Sequence, residues 1–291
     1  MKKILFLMSL LVCFCTNSVM FTAHAASDLS SVEIRVLKAN ANVYMLEGRG
    51  GNIGVLATTD GLVLVDDQFA PLASKIEQAM KEIKDVPLKY IVNTHYHGDH
   101  TGANAHFAKQ APIFAHSNVR KRVATDNKKV GANLPVITYE HGVTMYLDDE
   151  EIQLTHFPSG HTDGDSIVYF KKANVLHMGD LYFQGRFPYV DLNGGGSVKG
   201  YLANIKKIKN QFPPDVVIIP GHGELSNMAS LQGFIEMIEY SINRVEMAVK
   251  AGNSSGEILA DGIGEKYENW AWQFISEEKW MKTLIKDLTP K

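Results

Sequence analysis

The densest chemistry in the chain lies in six consecutive residues, His95-Tyr96-His97-Gly98-Asp99-His100. Three imidazoles and a carboxylate this close in sequence can be aimed from a strand-end loop at two neighbouring points, so one short segment can serve two metal ions. Three more candidate ligands follow: His161 in Ser159-Gly160-His161-Thr162, Asp180 after Met178-Gly179, and His222 in Pro220-Gly221-His222-Gly223. Each stands beside glycine, where the backbone can approach a ligand closely and a turn can present the side chain. The only cysteines, Cys13 and Cys15, fall in an N-terminal apolar stretch, which leaves nitrogen and oxygen as the available ligands. Neutral imidazole and carboxylate suit zinc, with iron or manganese also possible.

Most of these residues stand at the ends of short apolar runs. Leu88–Val92 reads as a β-rich strand feeding directly into Asn93-Thr94-His95, and Val216–Ile219 reads as a buried strand ending in Pro220-Gly221. Further strands are expected at Glu33–Leu37, Val43–Glu47, Ile53–Ala57, Leu62–Val65, Pro112–Ala115, Val143–Leu147, Ile152–His156, Ser166–Phe170 and Val175–Met178, with Thr59-Asp60-Gly61 as a hairpin turn. Pro71 opens a helix with Leu72, Ile76, Ala79 and Ile83 on one face, and Val198–Lys209 reads as a second helix. The longest spans Met228–Lys250, and a last one begins at the N-cap Ser276. Strands mixed with helices and no Pro/Gly/Ser linker predict one α/β domain over residues 26–291.

The ordered set H-x-H-x-D-H, then H, then D, then H resembles the metallo-β-lactamase superfamily, and Val63-Leu64-Val65-Asp66 resembles that family's first motif. The resemblance implies a four-layer αββα sandwich with two metals at one edge of its sheets. His95, His97 and His161 would hold one metal, Asp99, His100 and His222 the other, with Asp180 bridging and Asp66 supporting the loop from behind. A bridged pair of metals would acidify a shared water, and Asp99 would act catalytically by orienting it. Hydrolysis of an amide or ester carbonyl is the expected reaction, with β-lactam hydrolysis as a main or side activity. Cysteine-free lactamases of the family, however, typically carry serine where Asp180 stands. An aspartate there is similar to glyoxalase II and the acyl-homoserine lactonases, which makes lactone or thioester cleavage the alternative. An iron-dependent persulfide dioxygenase is the alternative from another reaction class.

Some loops and side chains are expected around the substrate. Asn52, in the glycine-rich tip Gly48–Asn52, and Tyr182, as an oxyanion donor, are candidate substrate contacts, and Gly194-Gly195-Gly196-Ser197 is a candidate groove-lining loop. His106, His116, His141, His156 and His177 match no motif and are expected to be structural, and Trp270, Trp272 and Trp280 are expected to pack the last helix.

Met1-Lys2-Lys3, the apolar run Ile4–Cys15 and Ala23-His24-Ala25 have the order of a secretory signal peptide over residues 1–25. The apolar run is too short to cross a bilayer, which takes about 20 residues, so a periplasmic or secreted protein with no lasting membrane anchor is expected. Losing Lys2 and Lys3 with the leader takes the formal net charge from −3 to −5, which argues against a nucleic-acid surface and for a small-molecule substrate. The short basic patches Lys121-Arg122 and Lys128-Lys129 read as solvated faces.

Overall fold

A computed structural model describes residues 29–125 and 134–289; the expected signal peptide and Lys128-Lys129 lie outside the described residues. Seven strands form the first sheet in chain order: β1 (Arg35–Asn40), β2 (Val43–Glu47), β3 (Ile53–Ala57), β4 (Leu62–Val65), β5 (Leu88–Asn93), β6 (Ile113–His116) and β7 (Ile137–Tyr139). The first four pair antiparallel, and β4 to β7 run parallel. The second sheet has the order β12-β11-β10-β9-β8, from β8 (Gly142–Leu147), β9 (Glu150–His156), β10 (Ser166–Phe170), β11 (Val175–His177) and β12 (Val217–Ile219).

Alternation along the strands builds the layers, because successive side chains leave a strand on opposite faces. On β4, Val63 and Val65 meet Met145, Ile152, Val168 and Ile219 of the other sheet. Leu62 and Leu64 point the opposite way, onto Ile76 and Met80 of helix α1 (Ala73–Ile83). The second sheet does the same: Val168 and Phe170 face inward, while Ile167 faces the helical layer. After two short helices, α2 (Gly98–Thr101) and α3 (Asn104–Phe107), and then α4 (Ser117–Thr125), that outer layer is built by α5 (Val198–Gln211), α6 (Met228–Lys250), α7 (Ser255–Asp261) and α8 (Glu277–Leu288). Leu231, Phe234, Ile238 and Val245 of α6 and Trp280 of α8 bury there. The result is an αββα sandwich.

Local chemistry sets the turns and ends. Thr58 holds the β3–β4 hairpin, its backbone N–H donating to the Gly61 carbonyl at 3.0 Å and its hydroxyl accepting from Asp60 and Gly61. Ser276 caps α8 by accepting from the Lys279 N–H. β1 starts at Arg35 rather than Glu33. It is a largely exposed edge strand, so no buried face fixed its limits. Helix α4 and strand β7 were not expected, since α4 buries only Val119 and Val123 and β7 is three residues long. Arg122 of α4 is not a solvated face. It makes a two-pronged ion pair with Asp163, at 2.6 and 2.7 Å. Among the described residues, no helix is long and apolar enough to cross a membrane.

Candidate metal centre

The candidate ligands all leave from strand ends at one edge of the sandwich. β5 delivers the loop from Thr94 to His97, and α2, which opens directly after His97, presents Asp99 and His100. His161 sits in the loop after β9, Asp180 in a single 3-10 turn (Gly179–Leu181) after β11, and His222 after β12. Two groups result: His95, His97, His161 and Asp180, and Asp99, His100 and His222, with the ligand atoms of each group within 4.8 Å of one another. Asp180 spans them. Its Oδ2 lies 3.3 Å from His161 Nε2 and 3.7 Å from His95 Nε2, while its Oδ1 lies 3.1 Å from His100 Nε2 and 3.4 Å from His222 Nε2.

Backing groups hold the rings with the right nitrogen turned inward. The buried Asp66, in the left-handed region at φ 62°, accepts from the Thr94 N–H at 2.8 Å and contacts His100 Nδ1 at 2.7 Å. It therefore steers both ends of the H-x-H-x-D-H loop. The Tyr189 carbonyl lies 2.6 Å from His161 Nδ1. A carbonyl only accepts, so the proton sits on Nδ1 and Nε2 is left as a lone pair facing Asp180. His97 is turned the other way: its Nε2 meets Asp191 at 3.0 Å, and its Nδ1 faces inward, 2.8 Å from His161 Nε2. Asp191 also accepts from the Tyr96 hydroxyl and, at 2.8 Å, from the Gly194 N–H. It belongs to no motif, and its part was not legible before the fold brought it to His97.

Two glycines make the packing possible. A Cβ on Gly221 would collide with Asp180 Oδ1, and one on Gly51 would enter the His100 ring.

The electrostatics separate the two histidine pairs. Burial, reinforced at His95 by the neighbouring His100, holds His95 well below the ordinary imidazole range and takes His161 down to about 4. Burial also acts on His100 and His222, but the facing carboxylates of Asp180 and Asp99 outweigh it. They hold His100 well above its usual range and raise His222 to about 9. Asp99 resists its own burial because His100 and His222 face it, and lies at about 2. A metal entering the His100/His222 side must therefore displace protons.

Three buried ligand atoms, His95 Nε2, His100 Nε2 and Asp180 Oδ1, make no well-aligned hydrogen bond among the described residues, and the last two meet as an ion pair at 3.1 Å. A buried polar atom left in this way costs stability, and a divalent cation between the three would satisfy them together. An all-nitrogen-and-oxygen set with one shared carboxylate fits zinc, iron or manganese.

Several expected contacts take other roles. Asn52 is buried, with its side-chain amide donating to the carbonyls of Pro220 and Gly223 at 2.9 and 2.8 Å. It braces the His222 loop. The tip around it is tied down at its end. Gly51 is held by the Gln68 side chain at 2.7 Å, and the Asn52 N–H donates to Gly221 at 2.7 Å. Tyr182 is 1% exposed and shares a 2.8 Å hydrogen bond with Ser226, which places its hydroxyl in the core beside α6. The Gly194–Ser197 loop does line the site, packed against His161, Asp163 and Asp191. Trp280 and Trp270 pack the C-terminal helices, but Trp272 lies 5.5 Å from the His222 ring and belongs to the rim of the site. Among the histidines outside the motifs, His106 pairs with Glu77 at 2.8 Å, His177 is buried against Asn52, and His116 stacks on His156.

Residues 46–222 match the Metallo-beta-lactamase superfamily, and the chain belongs to that superfamily and is a metal-dependent hydrolase. It is 24% identical over 221 residues to the metallo-beta-lactamase type 2 of Elizabethkingia meningoseptica, covering 72% of this chain and 86% of that protein. To the probable metallo-hydrolase YqgX of Bacillus subtilis (strain 168) it is 27% identical over 195 residues, covering 62% and 92%. A solved metallo-beta-lactamase from Pontibacter korlensis superposes with TM-score 0.63 at 19% identity, over 71% of this chain and 99% of that one, a likeness of fold.

Proposed function

We propose that the chain is an exported hydrolase, periplasmic or secreted, that holds two zinc ions and cleaves an amide or ester carbonyl of a small molecule. The observation that carries this reading is Asp180, whose two oxygens face different histidine pairs 3.1–3.7 Å away. His95, His97, His161 and Asp180 would hold one ion, and Asp99, His100, His222 and Asp180 the other. Two such ions would lower the pKa of a bound water toward about 7 and would polarise the carbonyl of the substrate.

The chain's own residues do the positioning. Asp99, a quarter exposed and 3.4 Å from His222, is the carboxylate of the cluster open to the groove, and, ionised, it would orient the attacking water by accepting a hydrogen bond from it. Asp66, Asp191 and the Tyr189 carbonyl keep the imidazoles from rotating as charge develops.

β-Lactam hydrolysis, as a main or side activity, is supported by the likeness to the Elizabethkingia enzyme. Aspartate rather than serine at position 180 favours a lactone or thioester instead, and both readings use the same centre. The test is steady-state hydrolysis of nitrocefin, a carbapenem, an acyl-homoserine lactone and a glutathione thioester by the zinc-loaded protein, with metal counted by mass spectrometry. Turnover of at least one compound with two zinc ions per chain is expected. No turnover of any, or one metal ion per chain with oxygen uptake, overturns the reading.

A further inference from the structure

The family match ends at His222, yet the C-terminal segment returns to the centre and walls one side of it. Trp272 lies 5.5 Å from the His222 ring, Phe274 lies 5.7 Å from Trp272, Tyr189 lies 5.6 Å from Phe274, and the His97 ring lies 5.6 Å from Tyr189. These rings form an arc from a ligand of one metal position to a ligand of the other. The arc is held in place before any ligand arrives. Trp272 donates its indole N–H to the Phe187 carbonyl at 2.9 Å, its backbone N–H donates to Ile275 at 3.0 Å, and Ile275 is buried. Phe274 nevertheless stays 53% exposed. A large ring held rigidly half out of water beside a reactive centre is poor packing for the fold alone and good packing for a ligand.

Two cations flank the arc. The Arg186 guanidinium lies 5.1 Å over Trp272, and the Lys279 ammonium lies 3.9 Å over Phe274 and 5.4 Å over Tyr189. Neither lies within 4.0 Å of a carboxylate among the described residues; Arg186 donates to the Gln184 carbonyl at 3.3 Å with Glu47 and Glu224 further off, and Lys279 donates to the Phe274 carbonyl at 3.1 Å. Burial lowers the affinity of both for their protons, so each would gain from an incoming anion.

We propose that this arc is the specificity wall of the enzyme, selecting hydrolysable acyl compounds that carry a flat apolar group and an anionic group. The flat group lies on Trp272 and Phe274, the anion meets Arg186 and Lys279, and the scissile carbonyl is left over the metal positions. The proposal rests on the hydrolase reading above for its chemistry, but its test reads binding.

Isothermal titration of the zinc-loaded protein would use 2-naphthylacetate as the probe, with acetate and the neutral 2-naphthylethanol for comparison. Naphthylacetate should bind at least tenfold more tightly than either. Trp272→Ala and Phe274→Ala should each weaken it about tenfold, on the scale of aromatic and cation contacts. Arg186→Gln/Lys279→Gln should weaken naphthylacetate and leave naphthylethanol unchanged. Tyr146→Ala, an exposed aromatic elsewhere on β8, should bind like the unaltered protein. If acetate binds as tightly as naphthylacetate, or if the ring variants bind like the unaltered protein, the wall is not a recognition surface. A protein that hydrolyses none of the four test compounds but shows these affinities would sink the hydrolase reading alone.

Discussion

At the residue scale, the site divides into groups that would touch the reaction and groups that hold those groups still, and the two should fail differently. Asp99 is the carboxylate open to the groove. Asp99→Ala should lower kcat by about 10²–10⁴, the range for loss of a positioned acid or base, whereas His106→Ala, on the far side of the sheet with Glu77, should leave it within about twofold. Equal losses would remove Asp99 from the reaction. Asp191 acts one step back, through His97. Asp191→Asn keeps the shape and one acceptor but loses the charge behind the ring, and should cost about 10–100-fold in metal affinity or activity. Titration with a chromophoric chelator would detect the loss of affinity directly. An unchanged affinity and rate would show that Tyr189 and His161 orient His97 well enough alone. Asp191 illustrates what the sequence hides: an aspartate before Leu-Asn-Gly has the signature of a turn, and only the third dimension sets it 3.0 Å from an imidazole 94 residues away. The seven motif residues were legible because each follows a strand end in a fixed order. The burial of Tyr182 and Asn52 was not legible, because standing near a motif in sequence does not tell which way a side chain points.

At the element scale, the strand ends set the centre, and glycines set how closely the loops stack. Gly51→Ala would put a methyl group where the His100 ring lies. The variant should fold, because the turn is at the rim, yet lose tight binding of its second metal and most of its activity. Two metal ions per chain and normal rates in this variant would show that the loop simply yields. The strands of the sandwich were legible for a different reason. β3 and β4 are apolar throughout and sit between a helix layer and another sheet, so their runs carry the signal. Helix α4 was not, since a nine-residue stretch with two buried valines shows too little period. The aromatic arc was not legible either. Its rings come from positions 189, 272 and 274, and a lone tryptophan near the end of a chain looks the same whether it packs a helix or borders a site.

At the scale of the whole molecule, the two sheets meet in a mainly apolar core, but near one edge they touch through a pair of imidazoles. His116 ends β6 of the first sheet, His156 ends β9 of the second, and the rings stack with centroids 3.6 Å apart at 8°. Burial lowers both, and the nearby His116 lowers His156 further, to about 4. In an unfolded chain each would titrate near 6.5. Between about pH 6.5 and 4 the unfolded chain therefore binds more protons than the folded one, and stability must fall as pH falls through that window. The contribution is fully present above pH 6.5 and lost on the way down to about 4. Metal ligands titrate in the same range, so the comparison has to be made on metal-free protein. Under that condition His156→Gln, which keeps a polar group of similar size, should flatten the decline in Tm between pH 7 and pH 5 relative to the unaltered chain. A decline equally steep in both would mean that the acid sensitivity of the fold resides elsewhere, in the buried His177 or the ligand histidines, and that the imidazole stack between the sheets tolerates a charge.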